Sequence, residues 1–215
     1  MASVKTSLPP DLFDSVTLYS LASTVAIALT GIFLARACLP AGTPGAKRFL
    51  FIWHAADALC HAFLEGSFLY HCFVSWIPAD GPTAGSIDYH PTPYNYLGHG
   101  ATRIYGPQAG GANPLAQLWM VYARADKRWA GVDLAVVSLE ILTVFVGVPL
   151  CGLICYYLAK KNPLANIWMI VLATMELYGG ESTLARCSEI LAGTGAQWLT
   201  LWHPRTRDTM TESFC

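Results

Sequence analysis

Charge is scarce in this chain. Only 13% of its 215 residues are Asp, Glu, Lys or Arg, and the two signs nearly cancel to a net charge of −1. There is no basic run and no stacking platform, so the electrostatic basis for nucleic-acid binding is missing. Missing too are a GxGxxG after a strand, a P-loop and a GxSxG elbow, which leaves nucleotide-dependent chemistry and serine hydrolysis without support. The seven cysteines form no CxxC pair and no regular ladder. Most lie in or beside apolar runs, where a thiol is a small hydrophobe, and a disulfide between Cys187 and Cys215 is the remaining option. What is plentiful is apolar: 54% of residues are hydrophobic and the mean hydropathy is +0.41. That is the composition of one integral membrane unit.

Four stretches are long or apolar enough to read as spans. Ser15 to Ala35 carries no charge and ends at Arg36, and it reads as a retained signal anchor rather than a cleaved leader. Phe49 to Ile77 is the second span, with length to spare for tilt. A third runs from about Val132 to Ala159 and closes on Lys160 and Lys161. A fourth, PLANIWMIVLATMELYGG, starts on Pro163 and ends on paired glycines. Between the second and third, Pro78 to Asn113 is dominated by Gly, Pro, Asp, Asn, Tyr and His and reads as a long irregular loop. Leu115 to Trp129, rich in Trp, Tyr and basic residues, reads as an interfacial helix. After Gly180 only GAQWLTLW is compactly apolar, far short of the roughly twenty residues a span needs. The expected fold is an all-α, polytopic membrane helical bundle of four spans over residues 1–180, followed by a polar tail, 181–215. Basic residues fall on both sides of the spans and leave the orientation open.

The second span is the informative one, because it carries His54, Asp57, His61, Glu65 and His71. At about 100° per residue, the first four fall within an arc of roughly 80° on one helix face. A charge near a bilayer centre costs at least about 2.5 kcal/mol, so this stripe must face other helices or a wet cavity. His61 and Glu65, four apart, are neighbours that can deliver or remove a proton. Glu140 on the third span supplies a second carboxylate that can face the first across the bundle. Two such groups can act as donor and acceptor, or stabilise a cation between them. The aromatics, Trp53, Trp76, Trp119, Trp129, Trp168 and Tyr178 among them, are mostly core or interface anchors, and a ring face can also stabilise a cation by about 2 kcal/mol when desolvated.

Metal binding is the rival reading of a His/Asp/His/Glu stripe. Four groups spread over three turns of one straight helix cannot all reach one ion, and clustered HxxxH or HxxHH motifs are absent. A metal would need ligands from elsewhere, for which His90 and His99 are candidates, so none is expected.

Three segments in order, HAFLEGSF, LAQLWMVYARADKRW, and DLAVVSLEILTVFVGVPL followed by NPLANIWMIVLATMELYGG, resemble the emopamil-binding protein family, the sterol Δ8-Δ7 isomerases of the EXPERA group. The resemblance runs from about Trp53 to Gly180. It implies a multi-pass bundle of the endoplasmic reticulum membrane that shifts a carbon–carbon double bond without a cofactor: an acid protonates the alkene, a tertiary cation forms, and a base removes a neighbouring proton. By position it assigns His61, Glu65 and Glu140 to catalysis, places Thr143 one turn after Glu140, and matches Trp119, Tyr122, Asp126 and Arg128 to the element before the third span. His54, Asp57, Trp168 and Tyr178 join Thr143, Trp119 and Tyr122 as candidate substrate contacts. The implied partners are a sterol or terpenoid substrate and the bilayer, with a homodimer left open. The family's fifth span is missing or diverged after Gly180. Glu65, assisted by His61, is the expected donor, and Glu140 with Thr143 the cation stabiliser or acceptor, an assignment that could be reversed. The alternatives are an isomerase or cyclase of a specialised terpenoid, and a non-catalytic binder of sterols or amines like the sigma-2 receptor branch.

Overall fold

The computed structural model describes residues 14–81 and 89–179, and the readings that fall on residues 181–215 lie outside them. The described chain is mostly helical. Its elements are α1 (Ser15–Cys38), α2 (Gly45–Leu59), a π-helical turn (Cys60–Glu65), α3 (Gly66–Val74), β1 (Trp76–Pro78), β2 (Arg103–Tyr105), α4 (Pro114–Tyr122), α5 (Leu134–Leu142), a second π-helical turn (Thr143–Gly147), α6 (Val148–Ala159) and α7 (Leu164–Gly179). Two compact units divide the chain after Leu172. In the second, the described residues 173–179 form the last turns of α7.

Among the described residues two helices are long and apolar enough to cross a membrane, Ser15–Cys38 and Leu134–Ala159. Helix α2, the first π turn and α3 run on as one rod, long enough to span, but the polar stripe dilutes its apolarity. Helix α7 falls short of a full span within the described residues.

Most of α1 is exposed, with Leu18, Leu21, Val25, Leu29 and Phe33 all on the outside. Such an apolar surface is what a bilayer covers. Its inner face is narrow. Gly31 and Ala35 are buried against α2, and a Cβ on Gly31 would lie 3.0 Å from the Ile52 carbonyl oxygen. Small residues let the two backbones approach in this way. On its other side α2 packs against α6.

The apolar core lies where α3, α4, α5 and β2 meet and contains Phe68, Leu69, Cys72, Leu118, Trp119, Val132, Val136 and Val137. Trp119 and Trp129 stack with centroids 5.1 Å apart, and Phe68 packs 5.3 and 5.1 Å from them. Helix α5 starts at Asp133, whose Oδ1 accepts from the backbone N–H groups of Ala135 and Val136 at 2.9 and 3.1 Å. Asp133→Ala removes this cap and is expected to cost about 1 kcal/mol, read as a lower unfolding temperature in detergent.

The stretch read as an irregular loop is more ordered than its composition suggests. Trp76–Pro78 pairs antiparallel with Arg103–Tyr105, so the all-α expectation holds only as mostly helical. The Arg103 guanidinium sits 3.7 Å above the Trp76 ring and reaches His99 and the Tyr105 hydroxyl. Gln108 clamps His90, accepting from its N–H and donating to its carbonyl, both at 2.9 Å. Burial pushes the His90 imidazole below its usual range.

The interfacial helix expected from Leu115 to Trp129 stops at Tyr122. Asp126 ends it by capping a separate turn, Lys127–Trp129, where its Oδ1 accepts from the Arg128 N–H at 3.0 Å. Arg128 also grips that carboxylate, with Nε 2.9 Å from Oδ2, and these hydrogen bonds hold the Asp126 carboxyl below its ordinary value. A folded-state pKa that is depressed stabilises above the unfolded value of about 3.9 and ceases to as pH falls through the folded value. The unfolding temperature of wild type should therefore fall between about pH 5 and pH 3 more than that of Asp126→Asn.

Candidate functional site

The two π turns face each other and carry the chemistry. A turn closed by i→i+5 hydrogen bonds holds more residues than the 3.6 of an α-turn, which brings residues four apart nearer to alignment along the axis. Within Cys60–Glu65, His61 Nδ1 and Glu65 Oε2 are 2.6 Å apart. In the opposite turn Thr143 donates its hydroxyl to the same Glu65 oxygen at 2.5 Å, and its Oγ1 lies 3.1 Å from the Glu140 carbonyl oxygen. The Glu140 carboxyl is in direct contact with that of Glu65. Glu140 is 4% exposed, and its Oε2 has no hydrogen-bond partner among the described residues.

Asp57 extends the cluster by one turn. Its Oδ1 is 3.5 Å from His61 Nε2, and its Oδ2 accepts from the Cys151 thiol at 3.4 Å. His54 is buried a turn further on, with Nδ1 unpartnered among the described residues. The stripe on α2 thus faces α5, the second π turn and α6. Its middle opens to a groove of about 220 Å³ lined by Thr24, Ile27, Ala28, Trp53, Ala56, Asp57 and Cys60.

The first π turn is buttressed from α4. Trp119 donates its indole N–H to Ser67 Oγ at 3.0 Å, and Ser67 in turn donates to the Leu64 carbonyl at 2.6 Å. Trp119 is thus tied through Ser67 to the backbone of the first π turn. Tyr122 packs its ring 5.3 Å from Trp119 and is 56% exposed. Trp168 is half-buried on α7. Tyr178 lies in the second compact unit, on the last turns of α7.

Two partners escaped the sequence reading. Ser67 gives no signal beyond its place beside Glu65. Cys151, counted as a core thiol, continues the buried face of the third span through Glu140, Thr143, Gly147, Cys151, Ile154 and Leu158. That spacing was visible. Thr143, grouped with Glu140 on sequence, bonds to Glu65 as well as to the Glu140 carbonyl. The loop histidines His90 and His99 are engaged in the ribbon region.

Comparison with known proteins relates part of the chain to a family. Residues 114–204 match the family model of EXPERA, the EXPanded EBP superfamily. A probable 3-beta-hydroxysteroid-Delta(8),Delta(7)-isomerase of Arabidopsis thaliana is 34% identical over 65 residues, 30% of this chain and 29% of that protein. A protoglabretal synthase of Ailanthus altissima is 25% identical over 146 residues, 68% of this chain and 51% of that protein. The chain therefore spans no more than about half the length of these relatives. From the start of α4 onward the chain is similar to the EXPERA family, the resemblance that its sequence motifs indicated.

Proposed function

We propose that this protein is a membrane isomerase that shifts a carbon–carbon double bond in a sterol, or in a terpenoid of similar shape, by protonation, carbocation formation and deprotonation. The observation that carries the reading is the Glu65–Glu140 contact. Two carboxyl groups from different helices meet in an apolar bundle, where Glu65 Oε2 is hydrogen-bonded to both His61 and Thr143 while Glu140 Oε2 has no partner among the described residues. Two carboxyls in contact, unequally hydrogen-bonded, are suited to opposite roles in proton transfer.

The hydrogen bonds favour the reverse of the donor assignment preferred on sequence. Glu65 Oε2 already takes two hydrogen bonds, whereas Glu140 Oε2 takes none among the described residues. Glu140 is accordingly the donor: the alkene's π pair takes its proton and leaves a tertiary cation. The cation lies beside the resulting carboxylate, which stabilises it. Glu65, with His61, then accepts the proton of a neighbouring C–H bond, whose electron pair becomes the new double bond. Glu65 then gives that proton to water and Glu140 takes one up from water, which closes the cycle with no net charge. Thr143 and the Ser67–Trp119 pair hold Glu65 in place.

The sterol reading draws on the Arabidopsis relative. A specialised terpenoid as substrate draws on the Ailanthus one, which covers more of the chain. Cationic chemistry serves both. A four-span bundle in the endoplasmic reticulum membrane belongs to the same proposal. Incubation with a Δ8 sterol in D2O should give a Δ7 product carrying one deuterium per molecule, read by mass spectrometry. Conversion without deuterium would rule out the proton mechanism.

A further inference from the structure

His54, Asp57 and Cys151 do nothing in the proton cycle, yet they converge. One ring nitrogen of His54, a carboxylate oxygen of Asp57 and the sulfur of Cys151 all lie within 4.8 Å of one another. They come from two packed helices, which meets the objection that one helix cannot encircle an ion. We propose that these three side chains form a binding site for a thiophilic divalent cation of the zinc type, between α2 and α6.

Three features of the site support this. The donor set, one nitrogen, one oxygen and one sulfur, is of the kind zinc takes, and three protein ligands leave a fourth position for water. Zn–S and Zn–O bonds of about 2.3 and 2.0 Å at a tetrahedral angle place sulfur and oxygen about 3.5 Å apart. Cys151 Sγ and Asp57 Oδ2 are 3.4 Å apart, so this pair is already at its ligating separation. His54 is 8% exposed, and its Nδ1 has no hydrogen-bond partner among the described residues. A buried imidazole nitrogen without a partner is costly, and coordination would satisfy the ring.

Access and balance also fit. Asp57 lines the groove between α1 and α2, whose mouth is apolar except for that carboxylate and Thr24. A cation that reaches Asp57 there exchanges hydration water for the three protein ligands. Binding releases the Cys151 thiol proton to solvent, so the bound ion faces one thiolate, one carboxylate and a neutral imidazole. Asp57 is shared, because its other oxygen faces His61. The site is independent of the isomerase reading, and an inactive protein would still bind.

The test is a cobalt titration of the full chain purified in detergent, followed by the thiolate-to-cobalt charge-transfer absorption and by competition with zinc. Wild type and Cys155→Ser should bind about one Co2+ per chain with this band, and zinc should displace it. Cys151→Ser, a near-isosteric change, and His54→Gln should weaken binding by more than about 100-fold. Zinc should also raise the unfolding temperature of wild type and Cys155→Ser but not of Cys151→Ser. No charge-transfer band in wild type, or an undiminished band in Cys151→Ser, overturns the proposal. The Cys155→Ser control separates this site from the neighbouring thiol of α6, and loss of the band in Cys151→Ser separates it from the rest.

Discussion

Glu140→Gln is expected to lower isomerase turnover by about 10²- to 10⁴-fold, the range ascribed to a positioned acid or base. Glutamine keeps the shape of the side chain and removes the proton that it delivers. Glu65→Gln should fall into the same range for the opposite reason, since an amide cannot take up the proton that the substrate loses. The two variants differ in what else they disturb. Glu65 Oε2 anchors both His61 and Thr143, so its replacement loosens the link between the two π turns. Glu140 Oε2 bonds to nothing among the described residues. Glu65→Gln should therefore lower the unfolding temperature more than Glu140→Gln does. Turnover of both variants within a factor of two of wild type, with equal amounts of protein in the membrane, would remove these carboxyls from the mechanism. Because both belong to one proton cycle, the double variant should be little worse than either single one.

Gly106→Ala is expected to be the most damaging change outside the site. Gly106 has φ +113, a conformation that L side chains rarely adopt, and a Cβ there would lie 2.6 Å from Gly131 Cα and 2.8 Å from the Ala130 carbonyl oxygen. Both obstacles are backbone and cannot swing aside. The crossing also carries hydrogen bonds, from the Gly106 N–H to Ser75 and from the Gln108 N–H to Ala130. It ties the end of α3 to the turn before α5, and those helices hold the two π turns. Strain of about 1–3 kcal/mol and overpacking of similar size suggest a total of about 3 kcal/mol. At roughly 2–4 °C per kcal/mol, the unfolding temperature should drop by about 6–12 °C. Gly42→Ala is the control: its φ is +80 but nothing lies within 4 Å of the added carbon, so only the strain remains. Equal losses in the two variants would show that the backbone crossing is not what makes Gly106 necessary.

What could be read from sequence followed from how strongly each feature repeats. Apolar runs of span length mark α1, which carries no charge before Arg36, and the α5–α6 rod, whose one charged residue is Glu140, since nothing else explains so many apolar residues in register. Regular spacing puts His54, Asp57, His61 and Glu65 on one face, and burial of that face follows from the cost of charge in lipid. The π turns left no such trace. They are slips of hydrogen bonding within an otherwise helical sequence, and they set which residues meet. Thr143 looked like the companion of Glu140 because it lies one turn away, but the widened turn carries its hydroxyl to Glu65. The β1–β2 pair was hidden for another reason. Strands of three residues show no alternation, and their partners are separated by residues 79–102, so pairing rests on contacts such as Arg103 over Trp76 that local pattern cannot reveal. Cys151 was set aside because a lone cysteine in a span is usually core, and only the facing helix gives it company.

The central claim is that this chain moves a double bond with two carboxyl groups. Its most direct test is expression in a yeast strain lacking sterol Δ8-Δ7 isomerase, with sterols profiled by mass spectrometry beside Glu140→Gln and Glu65→Gln. The expected result is Δ7 sterol from the wild-type chain and accumulated Δ8 sterol with either variant. Δ7 sterol formed equally well by both variants, at matched membrane levels, would contradict the account.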